Sequence, residues 1–190
     1  MHGLVNRSVE EFLRDTCGAD LWAAVAQSCG VDMRGFQTVR DYPDALTTAV
    51  VADAAGRLDQ PEAEFLEDLG AWLAQRESLR RLLRFGGATY AEFVRSLDQL
   101  ADRAEMVVPN LSLPQVSVGV SADAARCTLS LDQGDSWDRL LTGILRQMAD
   151  DYGALALITC SDGVITIDVP EHGYSAGRQF ALSPRAELSA

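Results

Sequence analysis

The apolar residues of this chain change their spacing from helical to alternating around Pro109 and Pro114, and that change limits the folds open to it. Before the two prolines they recur every three or four residues, the spacing of helices that bury one face. After them, "QVSVGVS" and "RCTLSL" alternate apolar with polar residues, the pattern of half-buried strands. One more helical stretch follows, with Trp137, Leu140, Leu141, Ile144, Leu145 and Met148 on its inner face. Then "ALALITC" and "VITIDV" read as a hairpin turned at Ser161-Asp162-Gly163, and "RQFAL" as a final strand. Helices first, then a mainly antiparallel sheet with one long helix inserted, makes the class α+β. The expected domain covers residues 1-182, helical over 1-108 and α/β over 109-182, with 183-190 a loose tail.

Local signals mark the helices. Leu4, Val5, Val9, Phe12 and Leu13 form one apolar face and Leu21, Trp22, Val25 and Ala26 a second, with Gly18 between them as a stop. Pro43 opens a third helix. Asp59 reads as an N-cap, with Pro61 in the first turn, Glu62 in the capping-box position, and Phe65, Leu69, Trp72 and Leu73 on one side. "RESLRRLLRF" ends at Gly86-Gly87, and Thr89 with Glu92 forms a second capping box. From there Phe93, Leu97, Leu100, Ala104 and Val107 are expected to make one apolar stripe on one helix. At ~100° per residue Ala101 lies about 80° around from Phe93, at the margin of that stripe.

Composition excludes several function classes. The 190 residues carry a net charge of −12 spread along the chain, which disfavours nucleic-acid and anionic-membrane surfaces. All 16 basic side chains are arginine, so Schiff-base lysine chemistry and the phosphate-binding lysine of a P-loop are ruled out. The N-terminus turns acidic within its first turns, unlike a signal peptide, and no apolar run approaches the ~20 residues of a membrane span. A cytoplasmic protein is expected. Cys17, Cys29, Cys127 and Cys160 are too far apart for a C-x-x-C pair and read as reduced thiols. No nucleophile, base or carboxylate constellation gives an enzyme positive support.

"MHGLVNRSVEEF", "YPD" at Tyr42 to Asp44, "FVRSLDQL" and the two prolines behind it resemble, in order and over essentially the whole chain, the heme-nitric oxide/oxygen binding (H-NOX) family, whose domain also occurs in soluble guanylate cyclase. The resemblance implies a heme between the helical part and the sheet, an iron-binding histidine directly after an L-D-x-L turn, and a Tyr-x-Ser-x-Arg strand holding the propionates. Leu97-Asp98-Gln99-Leu100 matches the turn, but Ala101 follows it. Leu129, Leu131 and Gln133 stand where the strand motif belongs. Pro114 matches the proline that packs against the family's heme. A hydrogen bond to a charged group is worth ~1.5–3 kcal/mol, so losing three propionate partners weakens heme binding by about three decades or more before the iron bond is counted.

Other sites read as structural. His2 belongs to the family's opening, His172 to a late loop, and neither has a partner that marks it as a ligand. The cysteines lack zinc spacing. Arg76, Arg80, Arg81 and Arg84 share one helical face, read as solvated and balanced by Glu62, Glu64, Glu67 and Asp68.

The resulting expectation is a sensory or adaptor domain with a degenerate heme site and no heme. By resemblance it signals in trans to a histidine kinase, a diguanylate cyclase or a chemotaxis-type protein. The former pocket, between the Phe93 to Val107 helix and the strands after Pro114, is expected to be partly filled by Trp72, Phe85 or Trp137 and to suit a small apolar ligand. Two alternatives stay open: heme held by a non-standard axial ligand, and an interaction module with a collapsed pocket.

Overall fold

The computed structural model describes residues 1–122, 125–133 and 136–169. His172, the expected strand "RQFAL", the tail and the end of the domain at 182 lie outside the described residues. Among the described residues, eight α-helices run in chain order as α1 (Gly3–Thr16), α2 (Ala19–Ser28), α3 (Asp44–Arg57), α4 (Glu62–Gln75), α5 (Glu77–Arg84), α6 (Tyr90–Arg95), α7 (Leu100–Val107) and α8 (Trp137–Tyr152). The strands are β1 (Val116–Val120), β2 (Arg126–Leu131), β3 (Leu157–Ser161) and β4 (Val164–Asp168). They form one antiparallel sheet in the order β1-β2-β4-β3.

Asp162 and Gly163, with φ of 51° and 74°, make the tight turn between β3 and β4. Alternation then decides the faces. Val116, Cys127, Leu129, Ile158, Ile165 and Ile167 point into the core, while Ser117, Thr128, Ser130 and Thr159 point out.

There are two apolar cores. In one, α1 to α4 gather Val9, Phe12, Leu13, Trp22, Val25, Phe65 and Leu69. In the other, the sheet packs Leu129, Ile165 and Ile167 against Phe93, Leu97, Leu141, Leu145 and Met148. Helix α8 serves both, because Leu140 faces the helical core and Leu141 and Leu145 face the sheet. It crosses α4 closely enough that a Cβ on Gly143 would lie 1.9 Å from the carbonyl oxygen of Glu67, and one on Gly70 would lie 2.0 Å from that of Leu140. Among the described residues no helix is long and apolar enough to cross a membrane.

Two expected caps have different outcomes. The Thr89 and Glu92 capping box is complete: Glu92 N donates to Thr89 Oγ1 at 3.3 Å, and the Glu92 carboxylate accepts from Thr89 N at 3.3 Å. Asp59, however, is not the cap of α4. Pro61 holds that position, and Asp59 turns the chain at φ 53°.

Candidate functional site

The stretch expected as one helix is broken. Between α6 and α7, Ser96–Gln99 winds as a 3₁₀ turn, so the L-D-x-L segment is not α-helical for most of its length. The Arg103 guanidinium supports this break by donating to the carbonyl oxygens of Ser96 at 2.8 Å and Gln99 at 3.4 Å and to Ser96 Oγ at 3.3 Å. Gly86 and Gly87 press onto α6 from outside, where a Cβ on Gly87 would meet that of Glu92 at 2.5 Å.

The break splits the expected stripe. Phe93 and Leu97 are fully buried against the sheet, Leu100 is half-buried at the edge of the same core, Ala104 is half-buried on the cavity wall, and Val107 is 57% exposed. Ala101 is buried, with 7% exposure.

The three strand positions also separate. Leu129 is fully buried in the core that holds Phe93 and Leu97, Leu131 is half-buried at its edge, and Gln133 is exposed. Pro114 is buried at the entrance to β1. Among the described residues, Phe93, Leu97 and Leu129 pack directly against one another in this core.

A cavity of about 740 Å³ lies against α7. Its walls come from α1, the end of α4, α5, α7 and the segment from Val108 to Leu113, with Leu4, Leu73, Leu79, Leu100 and Leu111 among the lining residues. Trp72 is on this wall, edge-on to Phe12 at 5.7 Å and covered by Arg76 at 3.9 Å. Phe85 does not fill the cavity, being 83% exposed on its rim, and Trp137 is half-buried at the start of α8 away from the lining. Of the three expected fillers, Trp72 and Phe85 border the space, Phe85 only at its exposed rim.

The arginine face is paired, but not with the residues expected. Arg76 pairs with Asp15, Arg80 and Arg84 with Asp151, and Arg81 with Glu77. Glu67 instead holds Arg139 and Arg146 of α8. His2 caps α1 by accepting from Leu4 N at 3.2 Å. No group of three or more potential metal ligands occurs among the described residues. Burial raises the thiol pKa of Cys127, and of Cys160, which also donates to Asp138 Oδ2 at 3.3 Å.

The sequence model of the Haem-NO-binding family matches residues 2–154. The chain belongs to that family. Among its relatives, soluble guanylate cyclase 89Db of Drosophila melanogaster is 19% identical over 82% of this chain, and soluble guanylate cyclase 89Da is 20% identical over 83%. The chain spans 24% of the length of each cyclase. Among solved structures, a Cs H-NOX variant carrying 4-cyano-L-phenylalanine superposes with a TM-score of 0.74, 14% identity and coverage of 90% of this chain and 97% of that one. A T. Tengcongensis H-NOX variant also gives 0.74 at 14% identity, covering 90% and 98%. The fold is that of H-NOX domains.

The described residues lining the cavity do not fit a heme. Family ligation needs an imidazole where Ala101 stands, and no histidine, cysteine or tyrosine is among the described residues lining the cavity. The one lining sulfur, Met106, is 77% exposed on the rim. Leu129 and Leu131 carry no donor for a propionate, and exposed Gln133 carries no charge.

Proposed function

We propose that this H-NOX domain is a sensory or adaptor module that works without heme and signals in trans to a partner protein. The observation that carries the reading is the pairing of a buried alanine at 101 with a cavity that offers iron no imidazole, thiolate or phenolate. A cavity of about 740 Å³ falls within the ~300–1,000 Å³ typical of ligand pockets and favours a ligand site over a collapsed module. Its ligand is a small, largely apolar molecule. The signalling partner is of the histidine kinase, diguanylate cyclase or chemotaxis type, a reading supported by the family alone. The protein's own role is regulatory, not catalytic.

The test is an absorption spectrum of protein expressed with a heme precursor supplied. The expected result is no Soret band. Stoichiometric heme in the unaltered protein refutes the reading.

A further inference from the structure

Resting on the reading of the cavity as a ligand site, we propose that its ligand is a single-chain amphiphile with one carboxylate. The alkyl tail occupies the cavity and the head group pairs with Arg103.

Three charged side chains reach the lining, and two of them are already neutralised. Glu11 is paired with Arg7 at 2.9 Å, and Arg76 with Asp15. Arg103 is different. Its three hydrogen bonds all go to neutral oxygens of Ser96 and Gln99, and among the described residues no carboxylate pairs with it. These bonds use Nε and Nη2 and leave Nη1 uncommitted.

The guanidinium is thus half-buried, anchored beside the cavity and short of one counter-charge. Because its position is fixed in advance by Ser96, pairing with a carboxylate costs little side-chain freedom. The remaining wall sets the rest of the ligand. Leu4, Leu73, Leu79, Leu100 and Leu111 present hydrocarbon, and of the two lining serines Ser8 already donates its hydroxyl to the Leu4 carbonyl oxygen at 2.9 Å, so the part of the ligand beyond the head is largely apolar.

One unpaired cation matches one negative charge. A dicarboxylate such as a porphyrin would set its second acid against apolar wall or near Glu11, which costs desolvation without a partner. The chain's net charge of −12 disfavours an anionic membrane as the source, so the ligand is the free acid.

The test titrates decanoate and 1-decanol into wild-type protein and Arg103→Gln at pH 7.5, by calorimetry and by the fluorescence of Trp72 on the cavity wall. Wild type is expected to bind decanoate roughly tenfold or more tighter than decanol, the size of one charge-assisted hydrogen bond. Arg103→Gln is expected to lose that preference while binding decanol as before, which also shows that the variant is folded. Arg81→Gln, altering an arginine outside the lining, is expected to change neither affinity. Equal wild-type affinities for the two compounds, or undiminished decanoate binding by Arg103→Gln, overturn the carboxylate assignment and leave the cavity reading standing. Binding of neither compound overturns both.

Discussion

Gly143→Ala adds one methyl group where α8 crosses α4, and two effects of opposite sign compete there. Replacing glycine by alanine inside a helix stabilises it by about 1 kcal/mol. Against this, the new Cβ would lie 1.9 Å from the Glu67 carbonyl oxygen, 2.7 Å from its carbon and 2.9 Å from Ala71 N. All three are backbone atoms, so no rotamer change relieves the overlap. To reach an ordinary contact of 3.4 Å the helices must part by about 1.5 Å. A gap of ~0.5–1 Å already forfeits a quarter to a half of a dispersion contact, so the whole crossing weakens.

Overpacking costs ~1–3 kcal/mol and here belongs at the upper end, leaving a net loss of about 2 kcal/mol. In a domain of this size that lowers Tm by roughly 4–8 °C. Urea and thermal unfolding followed by far-UV circular dichroism measure it. Gly56→Ala is the internal control, since nothing lies within 4 Å of its added methyl, and it should stabilise by up to about 1 kcal/mol. Gly70→Ala combined with Gly143→Ala should cost less than the sum, because helices already parted accommodate the second methyl. Gly143→Ala at or above wild-type stability would refute the close crossing.

Three further outcomes are expected. Ala101→His should leave heme uptake near the wild-type level, because Leu129, Leu131 and Gln133 give the propionates no partner; a stoichiometric Soret band in that variant contradicts this. Cys127 and Cys160, whose thiols burial holds above the ordinary range, should react with iodoacetamide at pH 7.5 far more slowly in folded protein than in urea, as peptide mass spectrometry will show. Tyr90 is raised above its ordinary value of 10.0 by burial, so the folded state keeps its phenol neutral where the unfolded state ionises. Its contribution to stability is complete below about pH 10 and lost as pH rises further, and Tyr90→Phe should flatten that alkaline fall in urea midpoints.

Much of the fold was legible because it rests on local periodicity. The helical faces, the Thr89 capping box, the hairpin at Asp162-Gly163 and the α+β order all follow from residues near one another in sequence. What escaped depends on contacts across the chain. The 3₁₀ turn at Ser96–Gln99 is bridged by Arg103 and crowded by Gly86 and Gly87, and none of this alters the apolar spacing. The partners of Arg80 and Arg84 lie on α8, about seventy residues away, so a charge pattern read along neighbouring helices named the wrong acids. Asp59 fitted a capping rule, but α4 starts two residues later behind Pro61, which makes no side-chain cap bond.

The location of the cavity follows from the same break. An unbroken helix would carry Phe93, Leu97, Leu100, Ala104 and Val107 along one side, and a single apolar wall would face the sheet. With the 3₁₀ turn in place, Phe93 and Leu97 are buried against the sheet, Leu100 sits at the edge of that core and on the cavity wall, and Ala104 lines the cavity. Leu129 packs with the first pair in the sheet core. The open volume lies where α1, the end of α4 and α5 face α7 and the segment that follows it. Arg103 serves both halves of this arrangement: its bonds to Ser96 hold the break that divides the stripe, and its remaining donors stand at the cavity that the division leaves open.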